Sequence, residues 1–136
     1  MRSPSHSEVI SLLLSLMDAI RGDVQAKLPK SSSFLHLRVL GFIAQEEEPS
    51  MRDVADYLRI TSPGATMVVD KLVEHKVIDR CADAGDRRIV RLAMTAKGRK
   101  TLEAGMRIVK ATISRRLATL SKPEQKQLST LLKKII

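Results

Sequence analysis

Apolar residues recur every three or four positions along most of the chain, which is the spacing that places side chains on one face of a helix. The pattern predicts six helical segments, separated by prolines or preceded by Ser and Thr residues that can cap a helix. The segments are 5–27, 34–46, a short helix after Ser50, another after Thr61, a long helix after Thr95 and a last helix after Pro123.

The two short central helices are separated only by Arg59 and Ile60. Two short helices joined by a turn of about three residues form a helix-turn-helix arrangement. Apolar residues on each helix are expected to face inward: Val54, Ala55 and Leu58 on the first, and Ala65, Val68, Val69 and Leu72 on the second.

After residue 76 the apolar spacing changes from the helical period to strict alternation, which is typical of strands. Residues 77–81 and 89–94 therefore read as two strands, with turn-forming residues 83–86 between them. On the second strand, alternation predicts that Val90, Leu92 and Met94 face the core. A hairpin after a helix-turn-helix makes the motif winged.

Both ends of the chain carry long apolar stripes that a small helix-turn-helix core cannot cover. An uncovered surface of this size indicates a partner, and a second copy of the chain is the simplest one. The residues predicted to form the dimer interface are Val9, Leu12, Leu13, Leu16, Leu117, Leu120, Leu128, Leu131, Leu132 and Ile135. The predicted fold class is mostly α with a small β-hairpin wing, a winged helix-turn-helix with N- and C-terminal dimerisation helices.

The chain carries 24 Lys and Arg residues against 15 Asp and Glu, a net charge of +9, and the excess lies after residue 48. A basic surface attracts polyanions, and charge alone does not choose between nucleic acid and an anionic membrane. Single-strand and RNA binders usually stack bases on exposed aromatic rings. The aromatic residues Phe34, Phe42 and Tyr57 all stand at expected core positions, which argues against that mode.

Other classes of protein have little support in the sequence. One cysteine, Cys81, excludes an intramolecular disulfide framework and fits a reducing compartment. The N-terminal apolar run is not expected to be a signal peptide, and no segment approaches the ~20 apolar residues of a membrane span. We therefore predict a cytoplasmic protein with no membrane partner. The histidines lack metal-ligand spacing, and no catalytic set or phosphate loop is present, so we predict no metal, no cofactor and no enzymatic activity.

Residues 86–98 combine Asp, two Arg, alternating apolar residues, and then Thr95 and Gly98. This run resembles the wing signature of the MarR (multiple-antibiotic-resistance regulator) family of bacterial winged-helix transcription factors, and residues 54–58 and 66–72 fit the two helices of its motif. The resemblance implies one domain over residues 1–136, with a DNA-binding lobe at about 34–98 and dimerisation helices at about 5–28 and 95–136. Lys76 and Arg59 stand where the family usually has Gly, and Met67 where it often has a polar or basic residue.

The outward face of the second short helix, the recognition helix, supplies the first group of candidate DNA contacts. They are Ser62, Pro63, Gly64, Thr66, Met67 and Lys71. Only Ser62, Thr66 and Lys71 carry the donors and acceptors that read base edges, whereas Pro63 and Met67 suit thymine methyl groups. We therefore expect modest direct readout, with much of the specificity coming from DNA shape and half-site spacing.

The wing and the first motif helix supply the second group. Arg87 is the first choice for a minor-groove or phosphate contact. Alternation places Arg88 toward the core, where it would pair with Asp86 and brace the loop, but the family resemblance leaves either arginine open as the DNA contact. Arg52, in a first helical turn, suits a phosphate contact. Arg91 is interpreted as a solvated or salt-bridged residue.

His36 and Cys81 are the two residues with a candidate role in regulation. The resemblance implies a small aromatic or anionic effector bound between the dimer helices and the DNA-binding lobe, and His36 is the candidate lining residue. Some family members carry a redox-active cysteine near the N-terminus. Cys81 instead lies on a wing strand, where alternation predicts partial burial, so we interpret it as structural.

The leading hypothesis is a homodimeric, sequence-specific regulator of transcription, a repressor, that binds double-stranded DNA at a pseudo-palindromic operator. The alternative is a winged-helix adaptor or antirepressor whose basic face binds an acidic protein. The apolar recognition helix supports the alternative.

Overall fold

The structure is a computed structural model that describes residues 2–136. It contains α1 (His6–Lys27), α2 (Phe34–Glu46), α3 (Met51–Leu58), α4 (Ser62–Glu74), β1 (Ile78–Ala82), β2 (Val90–Met94), α5 (Ala96–Leu117) and α6 (Lys122–Ile135). The predicted mostly α fold with a β-hairpin wing is confirmed. Neither α1 nor any other helix in these residues is long and apolar enough to cross a membrane.

The chain divides into two compact units. One, which we call the lobe, is Leu28–Met106, and the other, the terminal unit, combines the segment that ends at Lys27 with Arg107–Ile136. The core of the lobe is formed by apolar residues from α2, α3, α4 and the hairpin. Its buried members are Val39, Leu40, Ile43, Val54, Val69, Leu72, Val77, Ile78 and Leu92.

Side-chain caps fix where the two motif helices begin. Ser50 and Asp53 form a reciprocal capping box at α3, in which the Ser50 hydroxyl accepts from the Asp53 amide and the Asp53 carboxylate accepts from the Ser50 amide. The Thr61 hydroxyl accepts from the Gly64 amide at the start of α4. Each cap pairs amides that the helix itself leaves free, and the caps lie where the sequence predicts them.

Left-handed residues end both motif helices. Arg59 follows α3 with φ 54° and Lys76 follows α4 with φ 60°, at the two positions where the family usually has glycine. The next residues donate back to the helices, Ile60 to the Ala55 carbonyl and Val77 to the Leu72 carbonyl. This pattern closes a helix through a left-handed residue. The chain therefore keeps the geometry without glycine, at a cost of about 1 kcal/mol per site.

The hairpin pairs β1 and β2 in antiparallel register, with Ile78 opposite Met94 and Ala82 opposite Val90. Near the base, Arg91 also forms an isolated bridge with Ser50, and the Leu92 amide donates to the Pro49 carbonyl at 2.9 Å. The strands lie within one residue of their predicted limits. Val90 is a correction, because it is 36% exposed whereas Leu92 is fully buried. Alternation holds only where the helices cover the hairpin, and Val90 lies nearer its free end.

The start of α5 lies close against the turn that follows α4. The Thr95 amide donates to the Val77 carbonyl at 3.1 Å, and the Thr95 hydroxyl donates to the Lys76 carbonyl at 2.7 Å. The same hydroxyl accepts from the Gly98 amide, which confirms Thr95 as the cap. A Cβ on Gly98 would lie 1.9 Å from the Val77 carbonyl oxygen. Only glycine permits this approach.

In the terminal unit, α1 and α6 expose large apolar side chains. Leu12 is 61% exposed and Ile135 is 69% exposed. Among the remaining residues predicted for the dimer interface, a larger group is exposed and a smaller group is half-buried. The exposed residues are Val9, Leu13, Leu16, Leu131 and Leu132, and the half-buried ones are Leu117, Leu120 and Leu128. Leu120 lies beyond the end of α5, because the long helix stops at Leu117 and Ser121 caps α6.

His36 lies half-buried in the first turn of α2, which Ser33 caps. Burial lowers the pKa of His36 below its ordinary value, and the positive charges of His75 and Lys71 lower it further. The charged imidazolium is therefore disfavoured in the folded lobe.

Gly98→Ala should lower the free energy of unfolding by about 2 kcal/mol or more, because the backbone must shift to admit the new methyl group. Urea denaturation at one fixed protein concentration measures this. Gly22→Ala in α1 is the matched control: a Cβ there meets nothing within 4 Å, so the helix should gain about 0.5–1 kcal/mol. Equal stability of Gly98→Ala and the wild type would contradict the close approach.

His36→Asn should flatten the pH dependence of stability. The unfolded chain holds the His36 proton up to the ordinary pKa of 6.5, and the folded chain releases it at lower pH. Stability therefore rises with pH through the interval between the folded pKa and 6.5 and is constant above it. Urea midpoints between about pH 5 and 8 test this. The wild-type slope in His36→Asn would refute the prediction.

Candidate nucleic-acid interface

An open groove of about 920 Å³ lies between the first turns of α3 and α4 and the wing, residues 78–94. Four of the residues predicted to contact DNA line it. They are Arg52 from α3, Ser62 and Thr66 from α4, and Arg88 from the wing loop. The helix-turn-helix and the wing thus present their polar candidates to one concave surface.

The recognition helix α4 has an unusual exposed surface, of which only Ser62 and Thr66 line the groove, whereas Pro63, Gly64 and Met67 do not. Met67 is 70% exposed, and Ser62, Pro63, Thr66 and Lys71 are also exposed. The Thr66 hydroxyl donates to the Ser62 carbonyl at 3.0 Å, so it retains its capacity to accept a hydrogen bond.

Gly64 is partly buried on the same helix, against the Thr61 cap and Ile60. Lys71, one helical turn beyond Met67, is not among the residues that line the groove. The face therefore combines hydroxyl groups at its start with an exposed thioether at its centre.

Asp83 orders the wing loop. One of its carboxylate oxygens accepts from the Gly85 and Asp86 amides, each at 3.0 Å, and the other accepts from Arg91 Nε at 2.9 Å. The Arg91 hydrogen bond, followed by those of the two amides, holds the pKa of Asp83 below its ordinary value. Asp83 thus favours its ionised form and links Arg91 of β2 to two amides of the loop.

Asp86 holds Arg88 at the edge of the groove. Its carboxylate accepts from Arg88 Nε and Nη2, each at 3.1 Å, and from the Arg88 amide at 3.0 Å. The Arg88 hydrogen bonds also lower the pKa of Asp86. The predicted pairing of the two residues is confirmed. Solvent screens an exposed pair of this kind, so its main effect is to orient the guanidinium.

The expected direction of Arg88 is wrong, because its side chain is 91% exposed rather than turned toward the core. Arg88 precedes β2, in a loop where strand alternation does not apply. Arg87 is exposed as well, but it does not line the groove and forms no ion pair with any residue among 2–136. The geometry therefore favours Arg88 over Arg87 as the arginine that the wing presents.

Three acidic residues of the interface were not identified from the sequence. Asp83 accepts a hydrogen bond from Arg91, and Asp53 lies 3.9 Å from Arg91 Nη1. Asp70 of the recognition helix forms an ion pair with Arg80 of β1. The hydrogen bonds of Ser50 are the main cause of a lowered pKa at Asp53. Turn composition marked Asp83 as a loop residue, but the partners of these carboxylates depend on tertiary contacts that no local pattern reveals.

The remaining candidates lie away from the groove. His36 is not among its lining residues. Cys81 is exposed rather than half-buried, with its sulfur 3.6 Å from the Arg91 carbonyl oxygen. Residues 2–136 contain no group of three or more His, Cys, Asp or Glu side chains placed to hold a metal ion.

Residues 33–89 match the sequence model of the MarR family. The transcriptional regulator BilQ of Clostridium symbiosum is 32% identical over 94 residues, which are 69% of this chain and 65% of BilQ. The match therefore spans slightly less than two thirds of that relative.

Solved structures cover the chain more completely. The complex of MepR from S. aureus with DNA superposes with a TM-score of 0.78 at 24% identity, over 98% of this chain and 97% of MepR. BpsR of Bordetella bronchiseptica superposes with a TM-score of 0.76 at 23% identity, over 93% of this chain and 97% of BpsR. At these identities the superpositions establish the fold. The chain thus has a winged-helix fold, and its residues 33–89 are similar in sequence to the MarR family.

Proposed function

We propose that the protein binds double-stranded DNA as a homodimer, in the bacterial cytoplasm, and represses transcription from a pseudo-palindromic operator. The observation that carries the proposal is the placement of Arg88. The wing holds its guanidinium outward at a groove that Arg52, Ser62 and Thr66 also line. MepR, a fold relative, is solved in complex with DNA.

In the proposed complex the wing supplies charge and the recognition helix supplies discrimination. Arg88, oriented by Asp86, enters the minor groove beside the site and Arg52 contacts a phosphate, since both side chains are exposed. Ser62 and Thr66 meet base edges in the major groove, and Met67 meets thymine methyl groups. Few hydrogen bonds read bases directly, so DNA shape contributes much of the specificity.

Two copies are required because one lobe reads only a half-site. Half-sites in such operators lie about one helical turn, ~10 base pairs, apart. The exposed apolar stripes of α1 and α6 supply the surface for association, because they are too apolar to remain in water as a monomer face.

A small aromatic anion is the proposed effector, and it would change DNA affinity by favouring one arrangement of the dimer. Support comes from the family and from BpsR, whose structure concerns regulation of DNA binding by 6-hydroxynicotinic acid. Selection of duplexes from a random pool, repeated with candidate ligands, tests the whole proposal. Wild-type protein that prefers no duplex over random DNA would refute it in favour of the adaptor.

Arg88→Ala should weaken binding to every duplex, by about 5- to 100-fold, since one well-placed arginine contributes about 1–3 kcal/mol. Met67→Ala should instead change the order of preference among duplexes and leave the salt dependence intact. Arg87→Ala is the matched control on the adjacent residue and should lose less affinity than Arg88→Ala. Binding curves at several salt concentrations measure all three, and a larger loss in Arg87→Ala would contradict the assignment.

Leu12→Glu or Ile135→Glu should convert the dimer to monomers at micromolar concentration, because an unpaired carboxylate would be buried in the interface. Light scattering with size-exclusion chromatography measures the mass. Leu35→Glu, which changes a 39% exposed leucine of the lobe, is the control and should remain dimeric. A wild-type protein that is monomeric under these conditions would refute the homodimer.

A further inference from the structure

We infer that Arg91 is a positioning residue, which holds the wing against the first turn of α3 through two carboxylates and does not contact DNA itself. The inference rests on the DNA-binding function proposed above, because it concerns how the two halves of that interface are held in register. It assigns a role to a groove-lining arginine that by charge alone would count as a DNA contact.

The guanidinium of Arg91 is already engaged by carboxylates of the lobe. Its Nε donates to Asp83 at 2.9 Å, and its Nη1 lies 3.9 Å from Asp53. The side chain is only 32% exposed, compared with 91% for Arg88. An arginine between two carboxylates has little net charge to offer a phosphate and would have to lose the Asp83 hydrogen bond to approach one.

From Arg91 the connection runs to the tip of the wing. Asp83 uses one oxygen for Arg91 and the other for the Gly85 and Asp86 amides, so it joins the strand to the turn. Asp86 in turn orients Arg88. The direction of the Arg88 guanidinium therefore depends on the strand residue three positions later.

In the other direction the connection runs to α3. Asp53 accepts from the Ser50 amide at 2.8 Å as part of the capping box, and Arg52 precedes it in the same turn. The backbone of Arg91 bridges to Ser50 at the same place. Arg91 thus connects the helix turn that carries Arg52 to the loop that carries Arg88. Arg80 makes a separate connection, from β1 to Asp70 of α4.

Substitutions at positions 91 and 83 distinguish positioning from direct contact. The DNA probes are the best duplex selected from the random pool and an unselected duplex of equal length. The protein variants are Arg91→Lys, Arg91→Gln, Asp83→Asn and the double variant Arg91→Gln/Asp83→Asn. Lysine keeps the positive charge but lacks the two-pronged geometry that reaches both carboxylates. Asparagine can still accept from the loop amides, but it loses the charged partner of Arg91.

If Arg91 positions the wing, both Arg91 variants should lose affinity to a similar extent, about tenfold. Asp83→Asn should also weaken binding, although removal of a negative charge would by itself strengthen attraction to DNA. The double variant should be no weaker than Arg91→Gln, because the two residues act through one contact. Lys100→Gln, an exposed change on α5, is the charge control and should bind nearly as well as the wild type.

Three results would overturn the inference. They are wild-type affinity in Arg91→Lys, tighter binding in Asp83→Asn, and additive losses in the double variant. Each would indicate that Arg91 acts on DNA as a charge.

A second measurement needs no DNA and therefore separates this inference from the proposed function. Amide hydrogen exchange in the free protein should become faster in Arg91→Gln at the Asp86 and Ile89 amides of the wing loop, and remain at wild-type rates at the core residue Leu40. Unchanged exchange in the wing would refute the positioning role even if the protein binds DNA. Faster exchange together with no duplex binding by the wild type would retain the positioning role and refute only the proposed function.

Discussion

The lobe depends on the close approach between the start of α5 and the turn after α4. Thr95 uses its amide and its hydroxyl to pair the Val77 and Lys76 carbonyls, and Gly98 lies where any side chain would overlap the Val77 carbonyl. Because β2 ends at Met94, immediately before Thr95, these contacts also fix the base of the wing. Covalent continuity and three short contacts together determine where the hairpin leaves the lobe.

Beyond that base, the wing is held by electrostatic contacts rather than by a core. Only Leu92 in the strand β2 is fully buried, and the loop contributes no buried apolar side chain. Ion pairs exposed to solvent are screened by water and salt, so Asp83, Asp86 and Arg91 add little to the stability of the fold. Their contribution is geometric. They restrict the conformations of the Arg88 side chain, so less conformational entropy would be lost in the proposed DNA complex.

The sequence was sufficient for the elements and for four of the polar residues that line the groove. Caps at Ser50, Thr61 and Thr95, and the change to alternation after residue 76, located helices and strands within about one or two residues, which is the ordinary uncertainty of element ends. The errors share one cause. Val90 and Arg88 were assigned by alternation, which reports burial only where another layer covers the strand, and the free part of a two-stranded wing has no such layer. Likewise, Asp53 and Arg91 are 38 residues apart in the sequence, and the backbone contacts of Arg91 with Ser50 and of Leu92 with Pro49 bring them together.

In the proposed DNA complex, the apolar recognition helix and the charged wing have different roles. A helix that exposes Met67, Pro63 and only two hydroxyl groups cannot gain much affinity from hydrogen bonds to bases. Counter-ion release by arginine and lysine supplies affinity without regard to sequence, and the arginines that line the groove lie on the wing and at the start of α3. Discrimination must then come from methyl contacts and from how readily a given DNA deforms to meet both surfaces at once. Specificity would then depend on the distance between the wing and the recognition helix. A loosely attached wing could adjust to many DNA sequences, because wing and helix would bind independently of each other.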